Sequence, residues 1–153
     1  MKPEENELRI SAIREGTVID HIPADSVFKV AHILSLAKHK EILSLATNLP
    51  SNVMGTKGVI KIAKKRLTKT EVNKIAVIAP HATINIIEDY KVKDKRKVAI
   101  PKEIAMVIRC SNPQCVTNSQ PVNTIFEVTR KEPLKVRCRY CERSMDASEI
   151  ELK

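Results

Sequence analysis

The four cysteines of the chain lie in its last third and form two close pairs. Four residues separate Cys110 from Cys115, two separate Cys138 from Cys141, and 22 residues lie between the pairs. Two knuckles with this spacing can bring four thiolates to the corners of a tetrahedron, the arrangement in which zinc binds sulfur at about 2.3 Å. Two disulfides are the alternative, and a reducing cytosol disfavours them. The spacing therefore predicts one zinc ion per chain.

The predicted zinc ion is structural, because a four-thiolate site leaves no coordination position for water or substrate. Residues 103–153 are too few to bury enough apolar surface on their own. A structural zinc contributes roughly 10–16 kcal/mol of apparent binding energy to the folding of such a module. We therefore expect metal binding and folding of this part to be one event.

Composition changes around Pro101, which predicts two domains, residues 1–102 and residues 103–153. The first contains 19 basic and 11 acidic residues, the second eight and seven. Most of the basic surplus lies in residues 55–74 and 90–102. An acidic partner is therefore expected to meet the first domain. The alternative is a basic face that is merely solvated.

Hydrophobic periodicity in the first domain predicts the order β-α-β-β-α-β with one extra strand. The predicted strands are residues 8–14, 41–49, 59–65 and two more that meet at a tight turn around residues 88–90. This order is the ferredoxin-like split βαβ pattern, with two helices on one face of an antiparallel sheet. The sequence thus predicts an α+β fold followed by a small β-rich zinc domain.

Two stretches carry the helix signals. The first helix is expected to have Asp25 or Ser26 as its N-cap and to place one apolar stripe on its buried side. The members of that stripe are Val27, Val30, Ala31, Leu34 and Ala37. A capping box, Thr68 with Glu71, opens the second helix, and Pro80 closes it.

Several classes of function are disfavoured by the sequence. No apolar run approaches the roughly 18 residues of a membrane span, and the first ten residues do not form a signal peptide, so we expect a cytoplasmic protein without membrane contact. No nucleophile–base constellation or open metal site indicates an enzyme.

A zinc-ribbon protein that binds nucleic acid is the competing hypothesis. Against it, the zinc domain has a charge near zero, whereas phosphate recognition needs a basic excess. Stacking platforms for single strands also need aromatic rings, and the chain has only four. These are Phe28, Tyr90, Phe126 and Tyr140. The zinc domain is therefore interpreted as a protein-docking module.

Several stretches, in order, resemble one family. They are GTVIDHIP (16–23), NLPS followed by MG (48–55), IKI (60–62), AP-x-ATINII (79–87), and CSNPQC with CRYCE (110–142). The ordered set resembles the regulatory chains of aspartate carbamoyltransferase over essentially the full length of the sequence.

The resemblance implies a non-catalytic subunit that binds nucleoside triphosphates (CTP, UTP, ATP) through its first domain. It further implies allosteric control of pyrimidine biosynthesis, exerted on a catalytic chain to which the zinc domain docks. Regulatory homodimers within a larger hetero-oligomer are also implied, without a nucleic-acid or membrane partner.

The resemblance also implies roles for single residues. Asp20 would accept hydrogen bonds from ribose hydroxyls, and His21 would lie beside the phosphates. Lys61 would reach ribose and base, and Lys95 the triphosphate. The matching base pocket comprises Ile10, Ser11, Ala12, Ile13, Val18, Asn85, Ile87, Tyr90 and Val92. From the residues alone, Asp20 and His21 could equally be a solvated strand end.

Three departures from the family pattern bear on these roles. Ser11 replaces a charged residue of some members, so a contact there is assigned to the backbone. Ala63 replaces a glutamate of many members, which removes a possible ion pair. The run around Lys95 also offers Lys93 and Lys97, so the phosphate contact could be shared among the three.

Overall fold

The computed structural model describes residues 12–153, which form antiparallel sheets joined by turns and short helices. The first seven elements are β1 (Gly16–Ile22), α1 (Val27–Ile33), β2 (Leu43–Ser51), β3 (Gly55–Ala63), α2 (Lys69–Ile78), β4 (Thr83–Glu88) and β5 (Lys91–Lys97). The later ones are β6 (Glu103–Ala105), β7 (Ile108–Arg109), α3 (Val116–Ser119), β8 (Ile125–Lys131), β9 (Leu134–Cys138), β10 (Ser144–Asp146) and β11 (Glu151–Leu152). Single 3₁₀ turns lie at Ala24–Ser26, Leu36–Lys38 and Ala147–Glu149.

Contacts divide the chain into two compact units. The first combines the chain up to Thr68 with Ile78–Val98, and the second combines Lys69–Val77 with Ala99–Lys153. Most of helix α2 therefore groups with the second unit.

The sheet of the first unit has the strand order β2-β3-β1-β4-β5, and every neighbouring pair is antiparallel. Strand β3 lies between β1 and β2, the two strands that helix α1 connects. This is the split βαβ arrangement, so the predicted α+β class with an antiparallel sheet is confirmed.

One face of this sheet forms the core of the first unit. Ile19 on β1 pairs with Ile60 on one side and Ile84 on the other, and all three are buried. Helix α1 packs on β2 and β3 and buries Val27 and Val30 completely. Burial of each such side chain contributes about 1.5–3 kcal/mol to stability. The packed layer therefore holds the sheet rigid and leaves its opposite face available for a site.

The first strand of the described sheet lies later in the chain than the sequence predicts. Residues 8–11 lie outside the described residues, and residues 12–14 form no strand. The strand runs instead through Gly16–Ile22, the centre of the sheet.

The first helix is shorter than its apolar stripe predicts. It ends at Ile33, because Ser35 adopts the left-handed conformation with φ 54°. The chain then makes a 3₁₀ turn that buries Leu36 and exposes Ala37. Val27, Val30 and Leu34 of the predicted stripe are buried as expected, whereas Ala37 is not.

Strand β1 contains a bulge at Asp20 and His21. Ile19 pairs with Ile60 and Ile22 with Gly58, so β1 uses three steps where β3 uses two. The extra residue is accommodated by His21, whose φ is 59°. A bulge of this kind redirects side chains and often lies at a functional site.

The second unit contains a four-stranded antiparallel sheet, β10-β9-β8-β6, and the strand pair β11-β7. A small apolar core lies beside the cysteines. It includes Ile104, Val107, Ile108, Phe126, Leu134, Val136 and Met145, all buried. The predicted small β-rich domain with clustered cysteines is confirmed.

Candidate functional site

Four of the predicted binding residues lie in one row across the sheet of the first unit. Val18 on β1 pairs with Lys61 on β3 and with Asn85 on β4, and Asn85 pairs with Lys95 on β5. Residues directly opposite each other in antiparallel strands point to the same face. The row lies on the face opposite Ile19 and its partners, so it is not part of the core.

Asp20 lies on the same face, two residues along β1, and is already well supplied with donors. The backbone N–H of His21 donates to its Oδ1 at 2.6 Å. The Nζ of Lys57 lies 2.9 Å from Oδ1 and 3.1 Å from Oδ2. Partial burial alone would raise the pKa of this carboxyl, but the bonds from Lys57 and His21 outweigh it and hold the pKa below its usual value. Asp20 is therefore an ionised acceptor at neutral pH.

His21 lines a cavity of about 440 Å³. Its Nδ1 is 3.0 Å from the hydroxyl oxygen of Thr83. The cavity is lined by His21, Val53, Met54, His81, Thr83, Lys95 and Lys97. Two lysines and two imidazoles around one cavity favour an anionic occupant.

The three candidate lysines of β5 are separated by geometry. Lys95 and Lys97 line this cavity. Lys93 instead donates from Nζ to Glu88 Oε2 at 2.8 Å. Lys95 and Lys97 are therefore better candidates for an anion contact than Lys93.

Asn85 contains a buried acceptor without a donor. Among the described residues, none donates a hydrogen bond to its side-chain oxygen Oδ1. A buried polar atom in this condition costs roughly 1–3 kcal/mol unless another group supplies the bond. A ligand hydroxyl or amino group on this face would remove that cost.

The described members of the remaining base-pocket set lie toward the other end of β1. Ile10 and Ser11 are outside the described residues. Gly16 pairs with Ile87, which in turn pairs with Val92. The others of this set are Ala12 and Tyr90, which are exposed, and Ile13, which is buried.

The position of Tyr90 follows from the hairpin between β4 and β5. Asp89 and Tyr90 both have positive φ, 52° and 66°, as in a two-residue type I′ turn. The Tyr90 N–H donates to the carbonyl of Arg14 at 2.9 Å, so the turn lies against the segment that precedes β1. The tight turn predicted at residues 88–90 is confirmed.

Several residues at this site have no local signal in the sequence. Lys57 on β3 contacts Asp20 through its side chain, and Thr83 lies opposite Asp20 in the register of β1 with β4. His81 occupies the variable position of AP-x-ATINII, which the motif leaves open. Val53 and Met54 come from the turn between β2 and β3.

The second unit brings the four cysteines together. All four sulfur atoms lie within 4.8 Å of one another. The Sγ atoms of Cys110 and Cys141 are 3.6 Å apart, and those of Cys115 and Cys138 are 3.8 Å apart. Four sulfurs at about 2.3 Å from one ion would be separated by about 3.8 Å in a tetrahedron. The donor set therefore fits one tetrahedral metal ion.

Backbone hydrogen bonds shape the two knuckles. The Cys115 N–H donates to the Asn112 carbonyl at 3.0 Å, and the Glu142 N–H donates to the Cys138 carbonyl at 2.9 Å. The side-chain amide of Asn118 donates to the carbonyls of Cys110 (2.9 Å) and Asn112 (2.8 Å), which holds the first knuckle closed.

The thiols show why this cluster needs a cation. Burial raises the pKa of Cys110 to about 12 and also raises that of Cys138. Burial acts in the same direction on the less buried Cys141, but hydrogen bonds from the Arg143 backbone, the Asn112 side chain and the neighbouring thiols outweigh it and lower the pKa of Cys141 to about 7. Several buried thiolates are not stable side by side without a positive ion, so a bound metal supplies the missing charge.

Comparison with known proteins matches both parts of the chain. The profile described as "aspartate carbamoyltransferase regulatory chain, allosteric domain" matches residues 8–99. The profile of the same chain's metal binding domain matches residues 102–151. The chain belongs to the family of aspartate carbamoyltransferase regulatory chains. The predicted resemblance is thereby confirmed.

Relatives in this family are similar over nearly their whole length. The regulatory chain of Pyrococcus abyssi is 53% identical over 146 residues, covering 94% of this chain and 96% of the relative. That of Thermococcus onnurineus is 52% identical over 145 residues, with the same coverage. That of Parabacteroides distasonis is 43% identical over 150 residues, covering 98% and 97%.

Membership in the aspartate carbamoyltransferase regulatory family bears out two further predictions. The relatives are named regulatory chains, which confirms a regulatory rather than a catalytic chain. The metal binding profile and the clustered cysteines confirm a metal-binding second domain. Within residues 12–153, no helix is long and apolar enough to cross a membrane.

Proposed function

We propose that the first domain of this regulatory chain binds nucleoside triphosphates on the open face of its five-stranded sheet. The observation that carries this proposal is the row formed by Lys61, Val18, Asn85 and Lys95, because it joins an apolar surface, an unsatisfied acceptor and a cation. A base and ribose suit the uncharged part of the row. The triphosphate suits the cavity that Lys95 and Lys97 line.

Each element of a nucleotide has a counterpart on this face. The ionised Asp20 can accept bonds from ribose hydroxyls, and Lys57 keeps its carboxylate in place. Asn85 Oδ1 can accept a bond from an amino group of the base or a sugar hydroxyl. His21 and the lysines supply donors and positive charge to phosphate oxygens.

Calorimetric titration of the full chain with CTP, UTP, ATP and the corresponding nucleosides tests this site. Replacing Lys95 or Lys97 by alanine should weaken triphosphate binding about 10- to 100-fold, as expected for a lost charge-assisted bond, and should leave nucleoside binding unchanged. Asp20→Ala should weaken both ligands, since both contain ribose. Lys93→Ala is the matched control, because this lysine of the same strand pairs with Glu88. Equal losses of nucleoside and triphosphate for Lys95→Ala would refute the phosphate role.

We propose that the metal of the second domain is zinc. Four thiolates in tetrahedral array are the donor set that suits this ion, and the closed ligand set suits a structural role. Cys110, Cys115, Cys138 and Cys141 would be the ligands. Elemental analysis of the purified chain should give one zinc ion per chain, and two disulfides in place of the metal would refute this assignment.

We further propose that this chain regulates pyrimidine biosynthesis by docking its metal-binding domain to a catalytic chain of aspartate carbamoyltransferase. The relatives' names support this partner. Effector and partner must then be coupled through different affinities for two global states. Co-expression with a catalytic chain should yield a complex whose activity changes with CTP, UTP or ATP. Cys138→Ser should abolish assembly, and normal assembly of that variant would refute docking through this domain.

A regulatory homodimer is proposed as the form that enters this complex. The two outer strands of the five-stranded sheet differ in charge. Strand β2 contains no charged residue, whereas β5 contains four lysines and an arginine. Clustered charge protects a sheet edge from pairing, so β2 is the edge suited to a second copy. A monomer in light scattering at all concentrations would refute the homodimer.

A further inference from the structure

The hydroxyl of Thr117 lies beside the four-cysteine site, although threonine is not one of the metal-binding residue types there. Its Oγ1 is 3.1 Å from the Sγ of Cys115. Both residues are buried, Thr117 with 8% and Cys115 with 2% of its surface exposed. The short helix α3 begins directly after Cys115 and returns Thr117 toward that sulfur.

Metal binding determines the direction of this hydrogen bond. A metal-bound cysteine is a thiolate without a proton, so the sulfur can only accept and the Thr117 hydroxyl must donate. The Cys115 sulfur is buried, so water contributes little to its solvation. Hydrogen bonds to ionised acceptors are the stronger class, and this one stabilises the thiolate while withdrawing electron density from it.

We propose that Thr117 is a positioning residue of the metal site, whose hydroxyl donates to the Cys115 thiolate and raises the affinity of the four cysteines for their ion. The inference depends on metal binding at these cysteines but not on nucleotide binding or on docking. Partners that orient or stabilise metal ligands in this way typically change metal affinity about 10- to 100-fold when they are removed.

Thr124 supplies a matched control in the same unit. It is also a buried threonine, 1% exposed, and its Oγ1 has no hydrogen-bond partner among the described residues. Valine has nearly the shape of threonine but lacks the hydroxyl. A general effect of deleting a buried hydroxyl would appear at both positions, whereas an effect on the metal is expected only at Thr117.

The test loads the full-length chain with Co²⁺ and records the thiolate-to-cobalt charge-transfer band. Thr117→Val removes the donor and should shift this band to longer wavelength, because the sulfur becomes more electron-rich. In competition with a zinc chelator, the same variant should lose about tenfold or more in zinc affinity. Thr117→Ser, which keeps the hydroxyl, and Thr124→Val should both retain the band position and the affinity of the unaltered chain.

The outcomes separate this inference from the metal assignment. An unaltered chain that binds neither ion would refute the metal site itself. If the unaltered chain binds cobalt and Thr117→Val matches it in band position and zinc affinity, the role of Thr117 is refuted. Should Thr117→Val fail to load, Thr117→Ala gives the same comparison. Failure of both, with Thr117→Ser loading normally, supports the inference, because serine restores only the hydroxyl.

Discussion

Replacing Gly58 by alanine is expected to disturb the contact between helix α1 and strand β3. A Cβ at this residue would lie 1.9 Å from Cγ2 of Val27 and 3.2 Å from the Ala46 carbonyl oxygen. Carbon atoms pack at about 3.5–4.0 Å, so the first contact must open by roughly 1.5 Å or more. Val27 is 1% exposed, and a β-branched side chain in a helix has one strongly preferred rotamer. Helix and strand must therefore separate.

The expected magnitude follows from two opposing effects. Overpacking of this kind costs about 1–3 kcal/mol, and removal of a glycine from a strand returns about 0.5–1 kcal/mol. Gly58→Ala should therefore lower the free energy of unfolding of the first unit by about 1 kcal/mol. Val27→Ala alone should cost about 1.6 kcal/mol for two buried methyl groups, with a cavity cost in addition.

The double variant decides whether the clash is the cause. With Val27→Ala present, the methyl group that Gly58→Ala introduces occupies space that Cγ2 has left. The double variant should therefore lose less unfolding free energy than the sum of the losses in the two single variants, by about 1 kcal/mol or more. Gly55→Ala is the control, because no atom of the described residues lies within 4 Å of a Cβ there, and its φ of 78° confines the strain to the backbone of residue 55.

Hydrogen exchange measured by mass spectrometry on the metal-loaded chain is the appropriate assay. Peptides from β1 and β3 report unfolding of the first unit alone. The reasoning is refuted if Gly58→Ala leaves their exchange unchanged, or if its effect simply adds to that of Val27→Ala.

Three further outcomes are expected. Removal of the metal by a chelator should abolish exchange protection in residues 103–153 and preserve it in β1 to β5, and simultaneous loss in both would mean that the two parts do not fold separately. Asp20 has a folded pKa below its unfolded value, so its stabilisation is present above the unfolded pKa and is lost as pH falls through the folded one. Asp20→Asn should therefore be less stable than the unaltered chain at neutral pH, and its stability should fall less steeply below about pH 4. An unchanged acid transition in pH-dependent unfolding would contradict this. Lys57→Met should lower stability more than Lys93→Met, because the Lys57–Asp20 ion pair is less exposed. Its side chains are 21% and 23% exposed, against 65% and 37% for Lys93–Glu88. Chemical denaturation of the two variants measures the difference.

The sequence could predict the metal cluster because its signal is local. Two short cysteine spacings specify both the ligands and the knuckles, and the structure brings the four sulfurs together. The order of elements in the first domain was predictable for a similar reason, since the turn around Asp89 and the T-x-x-E pattern that begins at Thr68 mark boundaries by residue type.

The first strand could not be located, because its bulge breaks the alternation on which strand prediction depends. Ile19 and Ile22 are both buried although they are three residues apart, and Asp20 and His21 between them are charged or polar. The preceding segment, residues 8–14, alternates better and therefore carries the stronger strand signal. The end of helix α1 was missed for a comparable reason, because serine at residue 35 gives no signal for a left-handed conformation.

The arrangement of the candidate site was only partly predictable, because it depends on pairing between distant strands. Register places Thr83 opposite Asp20 and Asn85 opposite Val18, and no local pattern contains that information. Lys57 reaches Asp20 across 37 positions of sequence. Such contacts follow only once the strand order and the bulge are known.

In the nucleotide site proposed above, Lys95 and Lys97 would supply the charged contacts and the surface near Val18 and Asn85 the uncharged ones, which has a consequence for ionic strength. Electrostatic attraction by Lys95 and Lys97 is screened over about 8 Å at physiological salt, whereas hydrogen bonds and apolar contacts near Val18 and Asn85 are not. Added salt should therefore reduce affinity for every triphosphate by a similar factor. The ratio of affinities between two bases should stay constant, so salt adjusts how much effector is bound without changing which effector is preferred.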